Sequence, residues 1–396
     1  MSDLAATATG LATGPRAADV SLTELALAFI RLGSIAFGGP AAHIALMEDE
    51  FVTRRRWLTR EQFLDRLGAA NLIPGPSSTE MAIFVGYEKR GWPGLLVAGC
   101  SFIVPAALLV VLIAGAYVRY GSLPQAGGVL YALKPVVIAI VIQAFWKLAR
   151  TAVKSKWVAV VGVASAVLYG MRVHEVLILV IAAVLAAAPI VYGKLKSVRE
   201  WPAAGIGLAA PPVALAATAS VAVPVALWPL FLVFAKIGAV LFGSGYVLLV
   251  FLRADLVNRL HWLTEQQLLD SVAVGQITPG PVFTTATFIG YVVAGLPGAL
   301  VATVGIFAPA FVFVALSGWL IPRIRRSMVA GAMLDGVVVG SLALMGVVAW
   351  QLGRSAIVNM PTFVIGTVSA ALLLTFRINS AWLIAAAGVF GWLQAK

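Results

Sequence analysis

The chain has 396 residues, of which 61% are hydrophobic and only 11% charged, against roughly 25% charged residues in a soluble globular protein. A water-soluble fold of this length could not hide so much apolar surface, because burial saturates as domains grow; a soluble enzyme, a nucleic-acid-binding domain and a secreted scaffold are excluded together. Lys plus Arg number 28 against 16 Asp plus Glu, a net charge of +12, which in a polytopic membrane protein first reports loops held at the cytoplasmic face.

In chain order, residues 1–21 are rich in Ala, Thr and Gly with Arg16 as their one basic residue. They lack the basic and apolar regions of a signal peptide and read as a flexible tail. Apolar runs of spanning length follow at 22–42, 93–118, 126–149, 203–226, 228–251, 297–321, 329–351 and 356–376, with shorter ones at 157–170, 174–192 and 380–394. Two further segments, 62–90 and 267–295, are apolar but broken by Pro74-Gly75-Pro76 and Pro279-Gly280-Pro281. Continuous apolar runs rather than alternating strands exclude a β-barrel. The fold expected is an all-α polytopic membrane protein of about 10–13 transmembrane helices, with a Pro-Gly-Pro-broken helix or re-entrant hairpin in each half.

The two broken segments expose an internal repeat. Phe37-Gly38 recurs as Phe242-Gly243, Trp57-Leu58-Thr59 as Trp262-Leu263-Thr264, Asp65 as Asp270 and Pro74 as Pro279, each 205 positions on. Residues 37–76 and 242–281 share 13 identities in 40 aligned positions. The offset then becomes 204, matching Gly86-Tyr87 with Gly290-Tyr291, Pro93-Gly94 with Pro297-Gly298, and Pro105 with Pro309. The expected organisation is a tail (1–21), an N-terminal repeat (22–200), a linker transmembrane segment (201–227) and a C-terminal repeat (228–396). Duplicated halves with helices broken at matching places form the secondary-transporter pattern. Parity leaves two arrangements open. If the broken segments cross the membrane, the halves are inverted; if they are re-entrant, with 22–42 and 228–251 crossing, the halves run parallel. Basic residues at segment ends mildly favour the second, though five of them (Arg54, Arg55, Arg56, Arg60, Arg66) sit in one loop.

In Asn71-Leu-Ile-Pro74-Gly75-Pro76-Ser77 and Gln276-Ile-Thr-Pro279-Gly280-Pro281-Val282 each proline removes a donor and disfavours helix before it. A helix restarting after Pro76 or Pro281 leaves its first N–H groups unpaired at membrane depth, a natural seat for an oxyanion. Ser77, Ser78, Thr79, Thr284 and Thr285 place hydroxyls beside them. Arg31 and Lys236 lie inside apolar segments, six residues before Phe37 and Phe242, where charge is functional by default; the repeat sets both at one equivalent depth around a central anion. They could instead pair with the equivalent Asp65 and Asp270, on helices opened by Thr59 and Thr264 with Gln62 and Gln267 at capping-box spacing. Glu80, whose counterpart is Thr285, is a candidate for proton coupling. Phe37-Gly38-Gly39-Pro40 and Phe242-Gly243-Ser244-Gly245 permit close helix approach or an unwound turn. Cys100 is the single cysteine, the three histidines lack metal-ligand spacing, and no phosphate-binding loop or catalytic grouping is present, so neither cofactor nor metal is expected.

Those paired motifs resemble the chromate ion transporter family in its long, bidomain form. The resemblance rests on Phe37-Gly38-Gly39-Pro40 with His43 and Glu50, Trp57, Asp65, Asn71 with Pro74-Gly75-Pro76, and their counterparts Phe242, Gly243, Gly245, Trp262, Asp270 and Gln276 with Pro279-Gly280-Pro281. It covers nearly the whole chain after the tail. It implies a carrier of the cell inner membrane that exports chromate, with sulfate as analogue, driven by ion gradients, and a thirteen-span layout with opposed halves. The residues by themselves support an oxyanion carrier. The expected partners are that oxyanion and the lipid bilayer, with a proton or other coupling ion and a homodimer left open and no nucleic acid. An uptake carrier for sulfate or another oxyanion, and an intramembrane enzyme without ion flux, are the competing readings.

Overall fold

A computed structural model describes residues 20–121, 123–198, 226–242, 245, 247–376, 378 and 380–394. Nearly all of the expected tail, most of the linker segment and Gly243 lie outside the described residues. The first half folds as α1 (Leu22–Ile35), α2 (Pro40–Glu48) extended by a π-helical turn (Asp49–Arg54), α3 (Arg60–Ala70), α4 (Ser77–Tyr120), α5 (Pro124–Ala152), α6 (Lys156–Gly170) and α7 (Glu175–Val198). The second repeats the order: α8 (Leu227–Val240), α9 (Leu248–Leu252) with a π-helical turn (Arg253–Arg259), α10 (Glu265–Ile277), a 3-10 turn (Val282–Thr284) into α11 (Thr285–Arg326), α12 (Met328–Ala356), α13 (Met360–Thr375) and α14 (Ser380–Gln394). The protein is an all-α, multi-pass membrane protein of two homologous halves. Among the described residues, five helices, α4, α5, α7, α11 and α12, are long and apolar enough to cross a bilayer. Side chains such as Leu112 (71% exposed) and Leu300 (60%) on the long helices are what lipid, rather than water, accepts.

Local chemistry sets the helix starts. Ser21 caps α1 through the Glu24 N–H. Thr59 with Gln62 and Thr264 with Gln267 form the expected reciprocal capping boxes of α3 and α10.

The first segment of each half does not run through as the continuous span expected over 22–42 and 228–251. After α1 the chain reverses at Gly38 and Gly39, both at positive φ, and Arg55 returns to within 3.0 Å of Glu24. A straight helix would separate those residues by about 46 Å. The Phe29 and Phe51 rings, 4.9 Å apart, close the hairpin. In the second half Lys236 of α8 reaches Asp255 beyond α9.

The Pro-Gly-Pro segments also turn back. Arg66 of α3 holds Glu88 at 2.8 Å, so α3 lies against the first arm of α4. That arm ends at Arg90 and Gly91, where the backbone leaves the helical region. The carbonyl oxygen of Gly86 lies 2.1 Å from where a Cβ on Gly94 would stand, whereas eight residues of straight helix span about 12 Å. Arm 77–89 therefore reaches about 20 Å and doubles back, while arm 92–120 rises about 43 Å and crosses. The reversal recurs at Ala294 and Gly295, where Gly290 meets Gly298 and Thr287 meets Thr303 at 2.7 Å.

Contacts between the long arms give the relation of the halves. Gly99 packs on Phe311, and Gly115 faces Tyr291, which sits beside the start of arm 296–326 because of that reversal. Travelling up one arm is thus travelling down its repeat-equivalent. The halves are inverted, and their hairpins enter from opposite faces. Re-entrant hairpins coexist with inversion because 22–42 and 228–251 also turn back, which the parity argument counted as crossings. The outer helices are exchanged: α5 packs against α13 and α14, and α12 against α6 and α7. Gly391 presses on the Gly128 carbonyl and Gly336 on that of Ala182, while Gln143 donates to the Leu373 carbonyl at 2.7 Å.

Candidate functional site

The turns of all four hairpins converge. The Gly75 N–H donates to the Leu241 carbonyl at 2.8 Å, and the Gly280 N–H to the Ala36 carbonyl at 2.9 Å; both donors and both acceptors are 205 positions apart. Each bond ties a Pro-Gly-Pro turn of one half to the first hairpin of the other. Gly75 and Gly280 have φ of 139° and 87°, a region open to glycine. A Cβ on Gly280 would stand 2.7 Å from the Ala106 Cβ and 3.0 Å from the Gly33 carbonyl oxygen. Pro74, Pro76, Pro279 and Pro281 are buried around this crossing. The helical arms restarting after Pro76 and Pro281 bring two positive helix ends to it from opposite faces.

The polar side chains are distributed unequally. His43 of α2 places Nε2 3.1 Å from the Ala36 carbonyl oxygen and Nδ1 3.2 Å from Ser78 Oγ. With the proton on Nε2 the ring donates to the carbonyl and accepts from the serine hydroxyl. The equivalent positions, Leu248 and Phe283, make that side apolar. Thr284 and Thr285 spend their hydroxyls on the Pro281 and Val282 carbonyls, each at 2.8 Å. By contrast, Thr79 Oγ1, Gln276 Nε2 and both Glu80 carboxyl oxygens are buried with no hydrogen-bond partner among the described residues. Gln276, Gly245 and Thr285 line a cavity of about 10 Å³, enough for one water and too small for a tetrahedral oxyanion, so this side of the crossing is closed. Ser77 is half-buried and Asn71, at the end of α3, is exposed, as are Phe37 and Gly38 at the first turn; Phe242 is half-buried.

The membrane-embedded cations do not pair with Asp65 and Asp270. Arg31 lies 3.9 Å from Glu50, which also holds Arg54 at 3.1 Å and Arg55 at 2.6 Å. Lys236 pairs with Asp255, which also holds Arg259 at 2.8 Å. Glu50 and Asp255 are repeat equivalents, as are Arg54 and Arg259. Each of these two buried acids therefore holds more cations than it neutralises. Burial by itself would raise the Glu50 carboxyl; the hydrogen bond and charge of Arg55, with Arg54 and Arg31, outweigh it and hold it below the usual range. Because the halves are inverted, Arg31 and Lys236 stand at mirrored depths, one toward each face, about 7 Å along their helices from the turns. Asp65 lies beside Arg66 at 3.6 Å. Asp270 is buried in a pair with Lys134 at 3.0 Å and accepts from Tyr117 at 2.9 Å. Trp57 stacks on Phe51 under Arg55, and the backbone N–H of Trp262 donates to the Leu256 carbonyl.

Sequence reasoning missed the acceptors Ala36 and Leu241, which act through backbone carbonyls and carry no side-chain signal. It also missed Lys134 and Tyr117. The Glu50–Asp255 equivalence was findable, being an acid pair at the same 205-residue offset as Arg31 and Lys236.

A family model described as chromate transporter matches residues 23–188 and 228–392. The chain is 33% identical to a chromate transport protein of Cupriavidus metallidurans over 94% of this chain and 92% of that protein. It is 32% identical to a probable chromate transport protein of Synechococcus elongatus, over 88% and 89%. An uncharacterized transporter of Bacillus subtilis, YwrA, matches at 30% identity over 40% of this chain but 91% of its own length, so a chain close to one repeat in size exists by itself. No solved structure matches.

Proposed function

The chain belongs to the chromate transporter family, and we propose that it is a secondary-active carrier that exports chromate across the cell inner membrane, confers chromate resistance and accepts sulfate as an analogue. The observation that carries this reading is the crossing itself: two helix N-termini, entering from opposite faces, meet through the Gly75–Leu241 and Gly280–Ala36 hydrogen bonds. A tetrahedral dianion needs several donors and no nearby fixed anion, and helix N-termini supply donors without a counter-charge. The oxyanion would sit between the two turns, held by the first N–H groups after Pro76 and Pro281 and by Ser77, with Asn71, Gln276, Ser78 and Thr79 around it. Arg31 and Lys236, each in a cluster with positive surplus, draw it in from one face and release it to the other. Each half would open its own hairpins toward its own face, so a rocking of one repeat against the other alternates access. The organisation into a tail, a repeat over 22–200, a linker segment over 201–227 and a repeat over 228–396 belongs to the same proposal.

Labelled chromate flux into inverted membrane vesicles tests it. Arg31→Ala and Lys236→Ala should lower flux strongly while each variant still inserts. Wild-type rates in both variants would remove the cations from the mechanism, and flux confined to the opposite direction would make the protein an uptake carrier.

A further inference from the structure

Glu80 is an acidic group at the crossing that the binding reading leaves unused. It lies in the first turn of the arm that follows Pro76, is fully buried, and neither carboxyl oxygen has a hydrogen-bond partner among the described residues. Its Oε1 lies 2.4 Å from where a Cβ on Gly75 would stand, so the carboxyl rests against the Pro-Gly-Pro turn itself. Thr79 Oγ1 beside it is equally buried and likewise has no partner among the described residues.

The charged and titratable groups on the surrounding elements are engaged elsewhere. On α2, His43 is held by the Ala36 carbonyl and Ser78. On α3, Arg66 is taken by Glu88 and Asp65. Arg31 on α1 is at Glu50. From α11 the neighbour of the turn is Ala310, and the cluster around it continues with Ile73, Ile83 and Val314. With neither a donor nor a cation beside it among the described residues, the buried Glu80 carboxyl is costly to ionise in this closed arrangement.

Resting on the oxyanion-carrier reading, we propose that Glu80 is the proton-binding group of the transport cycle and that one proton travels with each oxyanion. Neutral, the carboxyl offers an O–H to the anion at the turn; ionised, it repels the anion through a low-dielectric gap of a few ångströms. The anion is therefore admitted with the proton, taken from water on the entry side and returned to water on the exit side. The second half cannot do the same, because Thr285 stands at that position and its hydroxyl is bonded to the Val282 carbonyl. The inverted repeat is thus symmetric in backbone and asymmetric in proton chemistry. A dianion moving with one proton transfers one negative charge rather than two, so an inside-negative potential still drives export.

The test uses full-length protein in proteoliposomes containing a pH-sensitive dye, with potential set by potassium and valinomycin. Labelled chromate and labelled sulfate are the probes, sulfate because it brings no proton of its own near neutral pH. Wild-type vesicles should move about one proton and one net charge per sulfate, and Glu80→Gln about two net charges with proton movement reduced to background. Proton movement persisting in Glu80→Gln, or absent in the wild type while sulfate moves, overturns the proposal. If Glu80→Gln does not transport, sulfate binding to the purified variant decides: independence of pH, against loss at high pH in the wild type and in Glu80→Asp, supports the role, and an unchanged pH profile overturns it. Failure of wild-type protein to move either anion would instead defeat the carrier reading.

Discussion

Gly280→Ala isolates the crossing from every side chain. The added Cβ meets the Ala106 Cβ at 2.7 Å and the Gly33 carbonyl oxygen at 3.0 Å, and the residue must hold φ near 87°. The left-handed conformation costs about 1–2 kcal/mol for a non-glycine residue. Overpacking against atoms with little room to retreat, since Gly33 itself presses on the Phe102 carbonyl, costs about 1–3 kcal/mol more. Displacement of the turn also lengthens the Gly280–Ala36 hydrogen bond, worth about 1 kcal/mol. The sum, about 3–6 kcal/mol, is a large part of the stability of an ordinary domain. Gly318→Ala is the matched control. It lies in α11 with open space around it, so the same methyl should be neutral or stabilising by up to about 1 kcal/mol. Thermal unfolding of both variants in one detergent, read by intrinsic tryptophan fluorescence, compares them. Equal shifts in the two variants, or a loss below about 1 kcal/mol for Gly280→Ala, would refute the backbone-to-backbone crossing.

Three other outcomes follow from the packing. In a Cys100→Ser background, Glu24→Cys with Arg55→Cys should be joined within one chain by a bifunctional maleimide of about 10 Å reach, since a salt bridge of 3.0 Å links the ends of the native side chains; a continuous span would hold them about 46 Å apart and give no cross-link. Asp270→Asn should destabilise by about 3–5 kcal/mol by leaving the half-buried Lys134 ammonium without its buried counter-charge. Adding Lys134→Met should restore most of that loss in a double-mutant cycle, and simple additivity would refute the pair. Ser78→Ala removes the donor to His43 Nδ1 and should cost about 1–3 kcal/mol, measured by the same unfolding assay; a neutral result would mean that His43 is satisfied from elsewhere.

Much of this protein is written at the level of single segments. Hydropathy alone specifies a helical membrane protein, and the 205-residue offset specifies two copies of one unit. Thr59, Gln62, Thr264 and Gln267 announce their capping boxes through spacing, and Pro74-Gly75-Pro76 and Pro279-Gly280-Pro281 announce a break, because caps and breaks depend on neighbours in the chain. The direction taken after a break is another matter. Phe37-Gly38-Gly39-Pro40 reads equally well as a kink within a span, and only the Arg55–Glu24 pair makes it a reversal. The same holds for charge partners. Arg31 and Lys236 stood out by depth and repetition, yet pairing with Asp65 and Asp270 was as consistent with the sequence as pairing with Glu50 and Asp255, because distances across a hairpin are not encoded in spacing along it. Inversion of the halves, the exchange of outer helices and the meeting of Gly75 with Leu241 and Gly280 with Ala36 are tertiary outcomes. The two crossing hydrogen bonds are made by backbone groups that every residue carries, and so no residue type signals their partners.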